Sequence, residues 1–381
     1  MTDLENYKAI VEQCFGAGVA TFPLLQDTTN NVIGALNSDQ YSSFKNSFLK
    51  RLERLSAIYK KDPANFPNLV PVLNEVSSTR NWEGAYSELV AFDFLNSDQD
   101  YLRQPISLSK TVSASETLGS SLGMTNVNFD GYYDDFGVCF DVKVLSDKSG
   151  DMLASVITQV KRQLGNPEVT ILPEYPLDMG YSAVESHVGA LIRELSGAIN
   201  IQSKTQFVKS AVVPNLSFRL QWGGGVAMTV GTYDPYQHAK NHHRLLFIHA
   251  KKFSRIQPSL IVFVVFPWFS ESFLSHGVFD TAIFYRAFCR RFFCEYAQSA
   301  VKATTLIKSV GDDTTLSQVT ASLSGVLFIE DASIQSTDPS QQNVRALCYL
   351  NPNAAQKVGT DYRTHLETIG VTIDDFEHDN Y

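Results

Sequence analysis

Asp141 and Lys143 lie in the stretch Val127-Asn-Phe-Asp130-Gly-Tyr-Tyr-Asp-Asp-Phe-Gly-Val-Cys-Phe-Asp141-Val-Lys143-Val-Leu145, which holds the residues best suited to chemistry. The two stand two positions apart in a run that alternates apolar and polar residues, so on a strand both side chains leave the same face. A hairpin turning at Asp134-Asp135-Phe136-Gly137 brings Asp130 alongside them from the neighbouring strand. Two carboxylates so close repel each other and raise one pKa unless a cation stands between them. Mg²⁺ meets that demand with oxygen ligands, needing only one or two protein carboxylates and taking water and phosphate for the rest. A metal held there lowers the pKa of bound water and polarises phosphorus, with Lys143 beside the water. The chemistry expected is phosphodiester hydrolysis.

The elements that must position these groups follow from the hydrophobic period. A helix over 81–96 places Ala85, Leu89 and Phe92 on its apolar side, and Glu88 interrupts that apolar run, so it must face a cleft or water. Glu83 and Asp93 on the same helix compete for the acidic role. The period then drops to two over 126–133 and 137–145, a β-hairpin with Val138, Phe140, Val142 and Val144 on its core face. A helix over 152–164, stopped by Gly165-Asn166-Pro167, leads to a short strand over 168–172.

The order Glu88, Asp130, Asp141-Val142-Lys143 resembles the PD-(D/E)xK nuclease superfamily, the fold of restriction endonucleases. The likeness spans 81–172, and Phe129 stands where many members carry a proline. It implies a helix-β-β-β-helix-β core within an α/β, restriction-endonuclease-like fold, a mixed central sheet flanked by helices. It further implies Asp130 and Asp141 as ligands of Mg²⁺, with Mn²⁺ able to substitute. Glu88 is then a third ligand or the acid behind them, Lys143 the catalytic lysine, and Gln159 and Lys161 on the following helix contacts to the site or phosphate. The function implied is cleavage of DNA, in restriction or defence against foreign DNA, by a chain that pairs as a homodimer to cut both strands. A non-catalytic member of the same fold that binds nucleic acid or protein, and a nuclease directed at RNA, are the alternatives.

Outside that region, 1–80 reads as a helical addition, with Phe44, Phe48, Leu52, Leu55 and Ile58 on one stripe and a proline-rich connector at 62–71. The α/β core extends over 81–270 through a helix at 181–200, strands at 207–213 and 216–230, a helix at 235–253 and a strand at 260–266. The remaining 271–381 supplies a helix at 280–301, strands at 325–330 and 344–350, and an acidic tail at 374–381. His238, His242 and His249 share a face of the 235–253 helix, which with Lys240 and Lys251 offers a polar surface suited to a nucleic-acid groove. Gly223-Gly224-Gly225 suits a hairpin turn better than a phosphate loop, and no Gly-x-Ser-x-Gly elbow occurs. Arg286, Arg290 and Arg291 are placed to cover an aromatic-rich helix.

A formal charge of −9 excludes a protein that coats nucleic acid by bulk electrostatics, but not a nuclease with a local basic groove. Five scattered cysteines and a start, Met1-Thr-Asp-Leu-Glu5, without basic or apolar character point to the reducing cytoplasm. No apolar run approaches the ~20 residues of a membrane span, so no membrane association is expected.

Overall fold

The computed structural model describes residues 3–23, 30–79, 81–97, 102–145, 148–165, 167–175, 181–199, 205–222, 235–242, 244–266, 280–306, 310–333 and 344–377. Four helices come first: α1 (Asp3–Phe15), α2 (Asn31–Asn37), α3 (Ser42–Tyr59) and α4 (Phe66–Glu75). The stripes of α1 and α3 are buried as their spacing requires, with Tyr7, Val11, Phe44, Phe48 and Leu52 fully enclosed. Helix α4 stands where a connector was expected. Asp62 accepts hydrogen bonds from the amides of Ala64 and Asn65 just ahead of it, and Pro67 falls at its start, where a missing amide costs nothing.

Then follow α5 (Trp82–Leu95), β1 (Ser107–Ser113), β2 (Asn126–Tyr133), β3 (Val138–Val144), α6 (Lys148–Gln163), β4 (Val169–Glu174), α7 (Tyr181–Glu185) and α8 (Val188–Ile199). Next come β5 (Thr205–Lys209), β6 (Ser217–Trp222), α9 (Pro235–His242), α10 (Arg244–Ile248), β7 (Ser259–Val265) and α11 (Thr281–Arg290). The chain ends with α12 (Leu316–Ala321), β8 (Gly325–Asp331), β9 (Val344–Leu350), α13 (Thr360–Thr368) and β10 (Val371–Asp374). These elements form two compact units, Met1–Leu145 with Leu245–Glu271 and Tyr285–Tyr381, and Ser146–Arg244 with Ser272–Phe284. The expected 1–80 addition and 285–381 of the expected 271–381 addition therefore belong to the same unit as much of the 81–270 core, and 272–284 to the other.

The first unit is built on a seven-stranded mixed sheet in the order β1-β2-β3-β7-β8-β9-β10. β1, β2 and β3 run antiparallel in turn, β3 and β8 both lie parallel to β7, β9 is antiparallel to β8, and β10 is parallel to β9. Leu260, Val262, Val264, Leu327 and Ile329 face a core shared with α1, α3 and α5. On the opposite face Phe263, Phe328 and Tyr285 stack, the last pair with ring centroids 4.0 Å apart. Helix α5 is apolar on nearly every side and accordingly buried. Arg51 of α3 reaches Tyr86 of α5 at 2.8 Å and Asp331 of β8 at 3.0 Å, a fully enclosed tie between helix layer and sheet.

Two differences from the sequence-based expectation concern the site. β1 was not anticipated, because Ser107, Ser109, Thr111 and Ser113 mask its short alternation of Leu108 and Val112 at an edge. The strand expected at 168–172 to complete the core is β4, which belongs instead to the second unit. The neighbour of β3 on the side away from β2 is β7, and the second unit's segment Ser146–Arg244 lies within the crossover between them, since parallel neighbours need a long connection.

The second unit carries the antiparallel sheet β4-β6-β5 against α6 and α8, with Leu153, Val156, Leu191, Leu195, Phe218 and Leu220 enclosed. The helix expected over 235–253 is broken into α9, α10 and a 3₁₀ turn at Ala250–Lys252. The helix expected over 280–301 ends with a π-helical turn at Arg291–Glu295. Part of the expected acidic tail is anchored: Arg286 pairs with Asp374 and Arg363 with Asp375, each at 2.7 Å. Gly223-Gly224-Gly225 lies outside the described residues. No helix among the described residues is long and apolar enough to cross a membrane.

Candidate functional site

The hairpin closes as its alternation predicts, with Gly137 at φ 67° donating to the Tyr133 carbonyl at 2.9 Å. From the turn, β2 and β3 pair Tyr133 with Val138, Tyr132 with Cys139 and Gly131 with Phe140. The next facing positions in that register are Asp130 and Asp141, and there the ladder stops. The Asp130 carboxylate instead accepts from the amide of Val142 at 2.8 Å, so the side chain substitutes for the missing strand partner. Gly131 makes this possible in a second way: a Cβ there would stand 2.1 Å from Cζ of Phe140, whose ring lies over the backbone beside Asp130.

Two ammonium groups bracket the carboxylates. Lys143 Nζ lies 2.7 Å from Asp141 Oδ2 and 3.4 Å from Asp130 Oδ2, and donates to the Val142 carbonyl at 2.7 Å. Lys252, from the Ala250–Lys252 turn, takes the other edge, in close contact with Asp141 Oδ1 and 3.8 Å from Asp130 Oδ1. Asp141 is enclosed, its side chain 2% exposed, while both lysines are about a quarter open. The buried Oδ2 of Asp141 has Lys143 at 2.7 Å as its ionic partner.

The electrostatics separate the acids. Burial would raise the Asp141 carboxyl, but Lys143 and Lys252 outweigh it and hold the group below its ordinary value. Asp130 is pushed up by burial and by the charge of Asp141. Glu88, on α5, is pushed up to about 8, first by burial and then by Asp130. Burial lowers Lys143, but Asp141 and Asp130 reverse this, keeping it an ammonium well into the alkaline range. His249, which precedes the Lys252 turn, is pushed down to about 3 by burial, then by Lys143 and Lys252, and is a neutral imidazole. Two lysines thus balance Asp130 and Asp141, and the nearby Glu88 keeps its proton near neutral pH.

Asp130, Asp141 and Lys143 therefore stand in contact, and Glu88 lies near enough to feel their charges. Asp93, a competitor of Glu88, is instead held by Arg54 at 2.6 Å and by Arg51. Gln159, Lys161 and Lys240 belong to the second unit, where Gln159 is exposed on α6 and Lys240 is exposed on α9. The expected histidine face is divided: His242 is buried edge-on against Phe284 in the second unit, while His249 joins the acidic site. Lys251 precedes the residue that matters. Lys252 was missed, although on a continuous helix it follows His249 by three residues, on the side of the histidines; what the sequence does not show is that the helix breaks and that the turn at Ala250–Lys252 leads into the strand beside β3. Arg290 and Arg291 both pair with Glu295.

Among the described residues, no three His, Cys, Asp or Glu side chains stand together as a ready metal cage. Asp130 and Asp141 form a pair of hard oxygen donors, which is as many protein carboxylates as Mg²⁺ commonly takes. Comparison of the chain with family models, with curated proteins and with solved structures returns no match.

Proposed function

We propose that the protein is a metal-dependent nuclease with a PD-(D/E)xK-type site that hydrolyses DNA phosphodiester bonds. The observation that carries this reading is the facing of Asp130 and Asp141 across an opened hairpin, with Lys143 in contact with both. The succession α5-β1-β2-β3, with a parallel strand beside β3, supports a restriction-endonuclease-like core. The carboxylate oxygens of Asp130 and Asp141 are hard donors of the kind that suit Mg²⁺ or Mn²⁺.

In this reading Asp130 and Asp141 would hold the metal, with Glu88 as a third acid. The metal when bound supplies Lewis acidity and a more acidic water. The chain's own groups do the rest. Asp130 is fixed by the Val142 amide, so its carboxylate keeps its orientation when substrate enters. Lys143, anchored on the Val142 carbonyl, presents a positive charge where the pentavalent phosphorus gathers negative charge. Glu88, protonated near neutrality, gives up its proton as cationic charge enters the site. Five free cysteines suit a reducing compartment such as the cytoplasm, and a homodimer would pair two sites for duplex cleavage.

A second reading is a non-catalytic binding protein. The contact of Lys252 favours it, since Lys252 and Lys143 together balance Asp130 and Asp141 without a metal. Incubation with plasmid, linear duplex, single-stranded DNA and RNA, each in Mg²⁺, Mn²⁺ or EDTA, separates the readings. The nuclease cuts DNA only with metal; cleavage of RNA alone redirects the substrate, and an inert protein that still binds DNA supports the second reading.

A further inference from the structure

The two lysines of the site are not equivalent. Lys143 issues from β3 and is tied to the Val142 carbonyl as well as to the carboxylates. Lys252 reaches only Asp141 and Asp130 among the described residues, and it takes the Oδ1 edge that Lys143 leaves open. Its backbone is firmly held. The Lys252 amide donates to His249 at 3.0 Å, the Phe253 carbonyl accepts from Leu118 at 3.0 Å, and the Arg255 amide donates to Glu116 at 2.8 Å. A Cβ on Gly119 would stand 2.9 Å from the Lys251 carbonyl, so the turn also rests closely on the neighbouring segment. Any departure of the Lys252 ammonium is therefore a side-chain movement on a fixed turn.

We propose that Lys252 is a built-in counter-cation that competes with the divalent metal for the Asp130–Asp141 pair. This rests on the metal-dependent reading above. An ammonium on the Oδ1 edge occupies oxygen lone pairs that a metal needs, and two ammonium groups plus a divalent ion would put four positive charges beside three acids. Repulsion at such distances in a partly buried site is several-fold stronger than in water, so the mobile cation yields. Lys143, held by a backbone carbonyl, stays. The device keeps the acids compensated when metal is scarce and makes loading depend on displacing one side chain.

The test is Mn²⁺ binding to the full chain without nucleic acid, followed by the loss of the free-ion electron paramagnetic resonance signal. Lys252→Gln should bind Mn²⁺ about tenfold more tightly than wild type. Lys251→Gln, which removes the same charge one residue away, should change affinity less than twofold. Lys252→Arg, whose fork can grip both carboxylates, should bind more weakly; it also serves should the neutral variant fail to fold. Equal affinities for wild type, Lys252→Gln and Lys252→Arg overturn the competition and leave the metal reading intact. Weaker binding by Lys252→Gln also overturns it, marking Lys252 as an organiser of the ligands. No Mn²⁺ binding by any of these proteins at millimolar concentration removes the metal reading itself, and the competition with it.

Discussion

Asp130 and Asp141 occupy facing positions on β2 and β3, yet the backbones do not pair there, and the Asp130 carboxylate takes the Val142 amide at 2.8 Å. One short gap in a hairpin thus does two things. It releases the strands enough for two acids to share a site, and it fixes the orientation of one of them. The energy of bringing like charges together is offset by Lys143 and Lys252, each of which touches both carboxylates.

The proton on Glu88 makes stability depend on pH. Its folded pKa of about 8 exceeds the ordinary value of 4.5, so between those limits the folded chain holds a proton the unfolded chain has lost. The stabilisation is complete below about 4.5 and is lost as pH rises to about 8. Urea midpoints measured in EDTA should fall across that window for wild type, and less for Glu88→Gln, which carries no titrating group. Parallel pH profiles for the two proteins would contradict the assignment.

Glycine at 131 is required by the ring of Phe140, which a Cβ would meet at 2.1 Å. Gly131→Ala should cost about 1–3 kcal/mol through overpacking. Phe140→Leu in the same chain should recover part of that loss. Chemical denaturation of the three variants checks this; an additive loss in the double variant would show that ring and backbone are not in contact.

Arg51, Asp93 and Asp331 form a buried network in which Asp331 is wholly enclosed. Arg51→Ala leaves that carboxylate uncompensated and should cost about 3–5 kcal/mol. Arg51→Met combined with Asp331→Leu should cost less than the sum of the single changes. Strict additivity in the double-mutant cycle would mean that the pair contributes no coupling.

His249 should stay neutral through the physiological range, because burial, Lys143 and Lys252 hold it near 3. Its imidazole resonance should not move between pH 5 and 8. A titration midpoint near the ordinary 6.5 would place His249 away from the two ammonium groups.

The residues of the acidic site were legible because their signal is local: strand alternation puts Asp141 and Lys143 on one face, and a hairpin must return past Asp130. Glu88 was legible as a charge in an otherwise apolar helix. Its competitor Asp93 could not be dismissed from sequence, because the pairing with Arg51 and Arg54 crosses from α3 to α5. Lys252 was hidden for a related reason. It reaches the site through β7, whose place beside β3 is set by parallel pairing across more than a hundred residues and carries no mark in the local sequence. β1 was missed because a polar edge strand with only Leu108 and Val112 buried resembles a loop. The same long crossover explains why 168–172 was assigned to the wrong sheet: its strand character was clear, its partner was not.

Plasmid nicking in Mg²⁺ tests whether Asp130, Asp141 and Lys143 hydrolyse phosphodiester bonds with a divalent metal, as proposed. Wild type should relax supercoiled DNA, EDTA should abolish the reaction, and Asp141→Asn and Lys143→Met, shown folded by circular dichroism, should each lose at least about 10²-fold. Nicking that persists in EDTA, or that proceeds at the wild-type rate in both folded variants, would contradict the account.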